Sequence, residues 1–169
     1  YKRMTFVLQN IENYDYEIIC INDGSKDKTW AIIKRLSEQE EHFKGLKFSR
    51  NFGHQNALLA GMTTAVQFAD MIVTIDADLQ DDVEAIEGMI DAYHDGNDVV
   101  YGVRSNRDTD TAFKRKTAEM FYSFMNKLGV NTVPNHADFR LMSNRATKVL
   151  LTFKEENLFL RGMVPLVGF

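Results

Sequence analysis

The chain has 169 residues, 44% of them hydrophobic, enough for one domain over 1–169 with a core of its own. A formal net charge of −4 argues against a nucleic-acid binder, which carries a basic field for phosphates. The single cysteine, Cys20, excludes an intrachain disulfide; inside the apolar run Ile18-Ile19-Cys20-Ile21 it reads as a buried, inert thiol, and a reducing compartment fits.

In chain order, Tyr1 lies in a stretch that already reads as helix. A strand is expected over 17–21 and a helix over 29–42. A second strand over 46–49 leads into a helix over 55–68, and a third over 71–75 into a helix over 83–94. In that last helix Val83, Ile86, Met89, Ile90 and Tyr93 recur at three- and four-residue steps and form one apolar face. A fourth strand over 98–103 precedes a longer helix over 111–128, with Ala118, Phe121, Tyr122, Met125 and Leu128 on one side. The first and third strands are nearly continuous apolar runs, as for strands covered on both faces. Regular β-α alternation predicts an α/β fold with a mostly parallel sheet flanked by helices. Such sheets bind ligands beyond the carboxyl ends of their strands. No apolar stretch approaches the ~20 residues of a membrane-spanning helix.

The polar, chemically useful residues fall at those strand ends. After the first strand comes Asn22-Asp23-Gly24-Ser25, in which Gly24 permits a tight turn and Ser25 or Asp27 can cap the next helix. The turn is explained by that alone; the functional alternative has Asp23 accepting hydrogen bonds from a nucleobase or ribose. After the second strand, Arg50, Asn51, His54 and Gln55 crowd polar groups around Gly53, where backbone can approach a ligand; His54 also reads as a solvated residue at a helix start. The third strand ends in Asp76-Ala77-Asp78-Leu79-Gln80-Asp81-Asp82. Residues two apart in an extended segment share a side, so Asp76, Asp78 and Gln80 are expected to converge. Hard oxygen donors of this kind suit Mg²⁺ or Mn²⁺. Helix-capping explains Asp81, Asp82 and Glu84, but not two carboxylates directly after an apolar strand, where they repel one another unless a cation is present.

Together these segments resemble the family 2 glycosyltransferases with a GT-A (Rossmann-like) fold. Ser49-Arg50-Asn51-Phe52-Gly53-His54-Gln55, Asp76-Ala77-Asp78-Leu79-Gln80, Gly102-Val103-Arg104, Phe113-Lys114-Arg115, Ala137-Asp138-Phe139-Arg140-Leu141-Met142-Ser143 and Phe159-Leu160-Arg161-Gly162-Met163 are similar to the polyprenyl-phosphate hexosyltransferases. The bactoprenol glucosyltransferase branch is nearer than the dolichyl-phosphate mannose synthases. The resemblance implies an inverting hexosyltransferase that uses a nucleotide-diphosphate sugar, with UDP-glucose favoured, and a polyprenyl phosphate acceptor. It implies Asn22, Asp23, Arg50, Asn51, Gly53 and Asp76 around the donor, and Asp76, Asp78 and Gln80 on the metal, with Asp78 first. It implies work at the cytoplasmic face of a membrane, and possible association with further copies of the chain. The family's first strand would precede Tyr1 and its membrane helices would follow Phe169, so the chain reads as truncated at both ends. Where the family often has prolines after Asp-Leu-Gln-Asp, this chain has Asp82 and Val83.

Asp138 resembles the family's catalytic base, but a phosphate acceptor, its second pKa near ~6, is already largely anionic. Asp138 therefore reads equally well as the structural partner of Arg140. An acceptor phosphate needs cations, and Arg104, Arg107, Arg115 and Arg140 are the candidates, with Lys114 equally suited to a solvated helix face. A Rossmann-type dehydrogenase is excluded by the lack of a Gly-x-Gly-x-x-Gly turn. A saccharide acceptor, or a non-catalytic nucleotide-sugar-binding module on the same fold, stays open.

Overall fold

The structure is a computed structural model and describes residues 1–103, 136–153 and 160–169. The elements run α1 (Lys2–Gln9), β1 (Ile18–Asn22), α2 (Thr29–Gln39), β2 (Phe43–Lys47), α3 (His54–Ala65), β3 (Met71–Thr74), α4 (Ala85–His94), β4 (Val99–Val103), β5 (His136–Ser143), α5 (Asn144–Leu150) and α6 (Leu160–Met163). A 3₁₀ turn over Val164–Val167 follows. The mixed α/β architecture is the one expected. The helix expected over 111–128 lies outside the described residues.

The strands form two groups. β1 pairs in parallel with β2, Ile18 opposite Phe43 and Asn22 opposite Lys47. β3 and β4 run the same way but do not touch; β5 lies between them, antiparallel to both. Among the described residues, β1 and β3 each pair along one edge only. β5 was not among the strands expected, because the buried pair Asp138 and Arg140 interrupts its apolar pattern. β2 begins three residues earlier than expected, because Phe43, only 3% exposed, enters the core and ends α2 at Gln39.

Alternation along β5 divides the core. Met142 joins Ile72, Met62 and Ala65 of α3, Val66 just after it, and Ala146, Leu150, Leu160 and Val164 in one cluster. Phe139 and Leu141, on the other face, pack with Val83, Ile86, Met89 and Ile90, against which α1 lays Met4, Val7 and Leu8. α3 also approaches β1 closely, since a Cβ at Gly61 would stand 2.8 Å from Ile21 Cδ1. α3 thus spans both strand groups, and its N-terminus lies where their carboxyl ends converge.

Cys20 is half-buried, and burial pushes its thiol pKa up, as suits an inert side chain.

Candidate active site

Three loops and one strand build the site. Asn22 ends β1, buried at 1% exposure, and its Oδ1 accepts from the Ser25 amide at 3.2 Å. Gly24 sits at φ +73°, where a Cβ would lie 2.4 Å from the backbone of Arg50 and Asn51; only glycine lets the two loops touch. Asp23 then closes the junction, its Oδ1 accepting from the Phe52 amide at 2.7 Å and its Oδ2 from the Gly53 amide at 2.9 Å. The Asp23 carboxylate expected at the donor therefore clamps the loop that leads into α3. Gly53, at φ +94°, turns the chain into His54, the first residue of α3. Arg50 and Asn51 are exposed, the Arg50 guanidinium lying 4.3 Å from the centre of the Phe52 ring.

β3 stops at Thr74, and the expected extended spacing of Asp76, Asp78 and Gln80 is not kept. The chain turns at Ala77–Asp78, the Asp78 Oδ1 accepts from the Gln80 amide at 3.0 Å, and Leu79 takes φ +63°. This side chain-to-backbone bond supplies the local alternative to a continuing strand. Asp76 and Asp78 still meet at one cavity of about 550 Å³, lined also by His54, Gln55, Ala77 and Asp138; Gln80 lies outside that lining. The volume falls within the range of small-ligand sites.

Asp138 enters from β5. Because β5 is antiparallel to β3, its early residues stand beside the carboxyl end of β3, with Arg140 opposite Thr74. Period-two alternation puts Asp138 and Arg140 on one face of the sheet, the face toward α3. Asp138 is 1% exposed: Oδ1 accepts from Arg140 Nη2 at 2.7 Å, and Oδ2 lies 2.9 Å from His54 Nε2. Its backbone carbonyl accepts from Thr74 Oγ1 at 2.5 Å. Arg140, expected at an acceptor phosphate, is instead 1% exposed and committed to Asp138. The pairing of Asp138 with Arg140 is present, as one of the two sequence alternatives required. Arg104, Arg107 and Arg115, the remaining acceptor candidates, lie outside the described residues, as does Lys114.

The carboxylates feel one another. Burial raises the Asp76 pKa, the nearby His54 lowers it, and Asp138, Asp78 and Asp81 raise it again. A divalent cation relieves this repulsion, and hard carboxylate oxygens are the donors Mg²⁺ or Mn²⁺ prefer, so the residues fit such an ion. His54, Asp76 and Asp138 each turn a potential ligand atom into the same region, all within 4.8 Å of one another. Sequence reasoning missed the part of His54: a histidine at a helix start gives no sign of a carboxylate 84 positions away.

Residues 2–152 match the model of the family described as Glycosyl transferase family 2. The chain belongs to that family. It is 52% identical over 155 residues to the uncharacterized glycosyltransferase YkoT of Bacillus subtilis (strain 168), covering 92% of this chain and 46% of that one. It is 42% identical over 161 residues to the bactoprenol glucosyl transferase of Shigella phage SfV, covering 95% of this chain and 52% of that protein. The prophage bactoprenol glucosyl transferase homolog of Escherichia coli (strain K12) is also 42% identical, with the same coverage. The family 2 chain thus spans about half the length of these curated relatives. Among its described residues no helix is long and apolar enough to cross a membrane.

Proposed function

We propose that this chain carries the catalytic site of an inverting hexosyltransferase that moves a hexose from a nucleotide-diphosphate sugar, UDP-glucose foremost, to a polyprenyl phosphate. The carrying observation is the cavity in which Asp76 and Asp78 meet the buried carboxylate of Asp138. The likeness to proteins named bactoprenol glucosyl transferases supports the glucose donor and the lipid acceptor. A cytoplasmic membrane surface is then the place of work, where both a nucleotide sugar and the lipid phosphate are within reach.

The residues divide the labour. Asp76 and Asp78 hold Mg²⁺ or Mn²⁺, which when bound offsets the charge that develops on the departing nucleoside diphosphate. Asn22, Asp23, Arg50, Asn51 and Gly53 form the wall against which the nucleotide rests, Asp23 by fixing the loop and Arg50 by offering an exposed guanidinium. Asp138 faces the acceptor. An anionic phosphate oxygen needs little deprotonation, so Asp138 orients the acceptor and takes up whatever proton it still carries. Arg104, Arg107 and Arg115 remain the proposed contacts to the acceptor phosphate, and Gln80 a further metal ligand reached once the turn at Ala77 rearranges.

The test is a binding titration of the protein at its full natural length with UDP-glucose and with GDP-mannose, each with and without Mn²⁺. Tight binding of UDP-glucose that requires Mn²⁺, and that weakens at least ~10-fold in Asp78→Ala, is the expected result. Equal binding without metal, or an unaffected Asp78→Ala variant, sinks the reading.

A further inference from the structure

We infer that His54 is a positioning residue that orients the buried carboxylate of Asp138 through its Nε2–H. The inference rests on the proposed function and assigns a residue that this reading leaves without a part.

The geometry fixes the direction of the hydrogen bond. Asp138 is paired through Oδ1 with the Arg140 guanidinium at 2.7 Å, and a carboxylate so paired only accepts. The nitrogen 2.9 Å from its Oδ2 must then carry the proton, so His54 Nε2 is the donor. A ring nitrogen that bears a proton has no lone pair for a metal. In this arrangement His54, Asp76 and Asp138 form a hydrogen-bonded bridge, and Nε2 would serve a metal only by giving up that proton. The same Nε2 stands 3.7 Å from Asp76 Oδ1, between the carboxylate for the cation and the carboxylate for the acceptor.

The imidazole is held on its own side. Asp23 fixes the amides of Phe52 and Gly53 just before it, and the next residue, Gln55, accepts from the Leu160 amide at 3.1 Å. Of the two described partners on the Asp138 carboxylate, Arg140 is sealed in the core at 1% side-chain exposure, whereas the His54 side chain is 47% exposed and lines the cavity. His54 thus holds Asp138 Oδ2 from the cavity side.

Two variants and two readouts test this. His54→Ala should lower kcat for hexose transfer at least ~10-fold while leaving the donor KM within about threefold, the signature of an interaction needed after binding. His54→Gln, whose amide can place a donor near the same point, should recover most of the loss. Mn²⁺ affinity, measured by direct titration without substrate, should be unchanged in His54→Ala. Imidazole ¹⁵N NMR of the neutral ring should show the proton on Nε2, with its signal displaced in Asp138→Asn. Mn²⁺ binding weakened ~10-fold in both His54 variants would make His54 a ligand and overturn the inference; so would a proton on Nδ1, or Gln no better than Ala. If the unaltered protein transfers no hexose at all, the proposed function fails, while the NMR and Mn²⁺ results still decide the place of His54.

Discussion

Gly24 and Asp23 together set the distance between two loops that share no strand pairing at that level. At φ +73°, with backbone atoms of Arg50 and Asn51 already 2.4 Å from where a Cβ would be, Gly24 has no tolerated replacement. Gly24→Ala is expected to destabilise the fold by about 2 kcal/mol or more, the sum of a left-handed conformation and a backbone clash, as measured by urea denaturation. Because the displaced segment is the one that Asp23 clamps, the loss of donor affinity should exceed the loss of stability. The sequence made Gly24 legible as a turn glycine and Asp76 and Asp78 as a pair. It did not reveal that Asp23 spends its oxygens on two amides, since a side chain bonding to backbone 29 and 30 residues away leaves no periodic trace. Leu79 is another local surprise: 85% exposed and at φ +63°, it holds a conformation bulky residues avoid, beside the cavity.

At the level of elements, α1 is tied to the start of α4 by charge as well as by Met4, Val7 and Leu8. Arg3 Nε donates to Glu84 Oε1 at 3.1 Å and Arg3 Nη2 to Asp82 Oδ1 at 3.1 Å. The Arg3 guanidinium holds the Glu84 carboxyl down to about 2 from an ordinary 4.5. A depressed carboxyl stabilises the fold above its ordinary value, and that contribution is lost as pH falls from 4.5 through about 2. Arg3→Ala should return the Glu84 pKa most of the way to 4.5, read by NMR titration of its side-chain carboxyl. Little change in overall stability at neutral pH is expected, because exposed ion pairs contribute little. Helices α2, α3 and α4 and strands β1, β3 and β4 were legible from the alternation of β-rich apolar runs with stretches of helical period. β5 was not, because a strand that buries an ion pair reads as polar. The motif Asp138-Phe139-Arg140 was noticed for its chemistry and missed for its shape.

For the whole molecule, the division of the strands matters most. The group β3-β5-β4 is covered on both faces by the two apolar clusters, and Phe139, Leu141 and Met142 of β5 are 3%, 0% and 1% exposed. In the pair β1-β2, by contrast, only Phe43 and Asn22 are fully buried. Local opening follows such differences in burial. Amides of Ile18–Asn22 and Phe43–Lys47 should exchange with deuterium at least ~10-fold faster than those of Phe139–Met142, a pattern that mass spectrometry of peptic fragments resolves. Uniform protection across all five strands would show one cooperative unit instead.

The bond from His54 to Asp138 crosses this division, for Asp23 of the first group sets the loop before His54 and β5 of the second carries Asp138. A seam of unequal strength therefore runs through the candidate site. On warming, the half that carries the Asp23 clamp is expected to loosen while the half that carries the buried Asp138 still stands. The proposed transfer should then be lost before circular dichroism reports global unfolding, and should return on cooling.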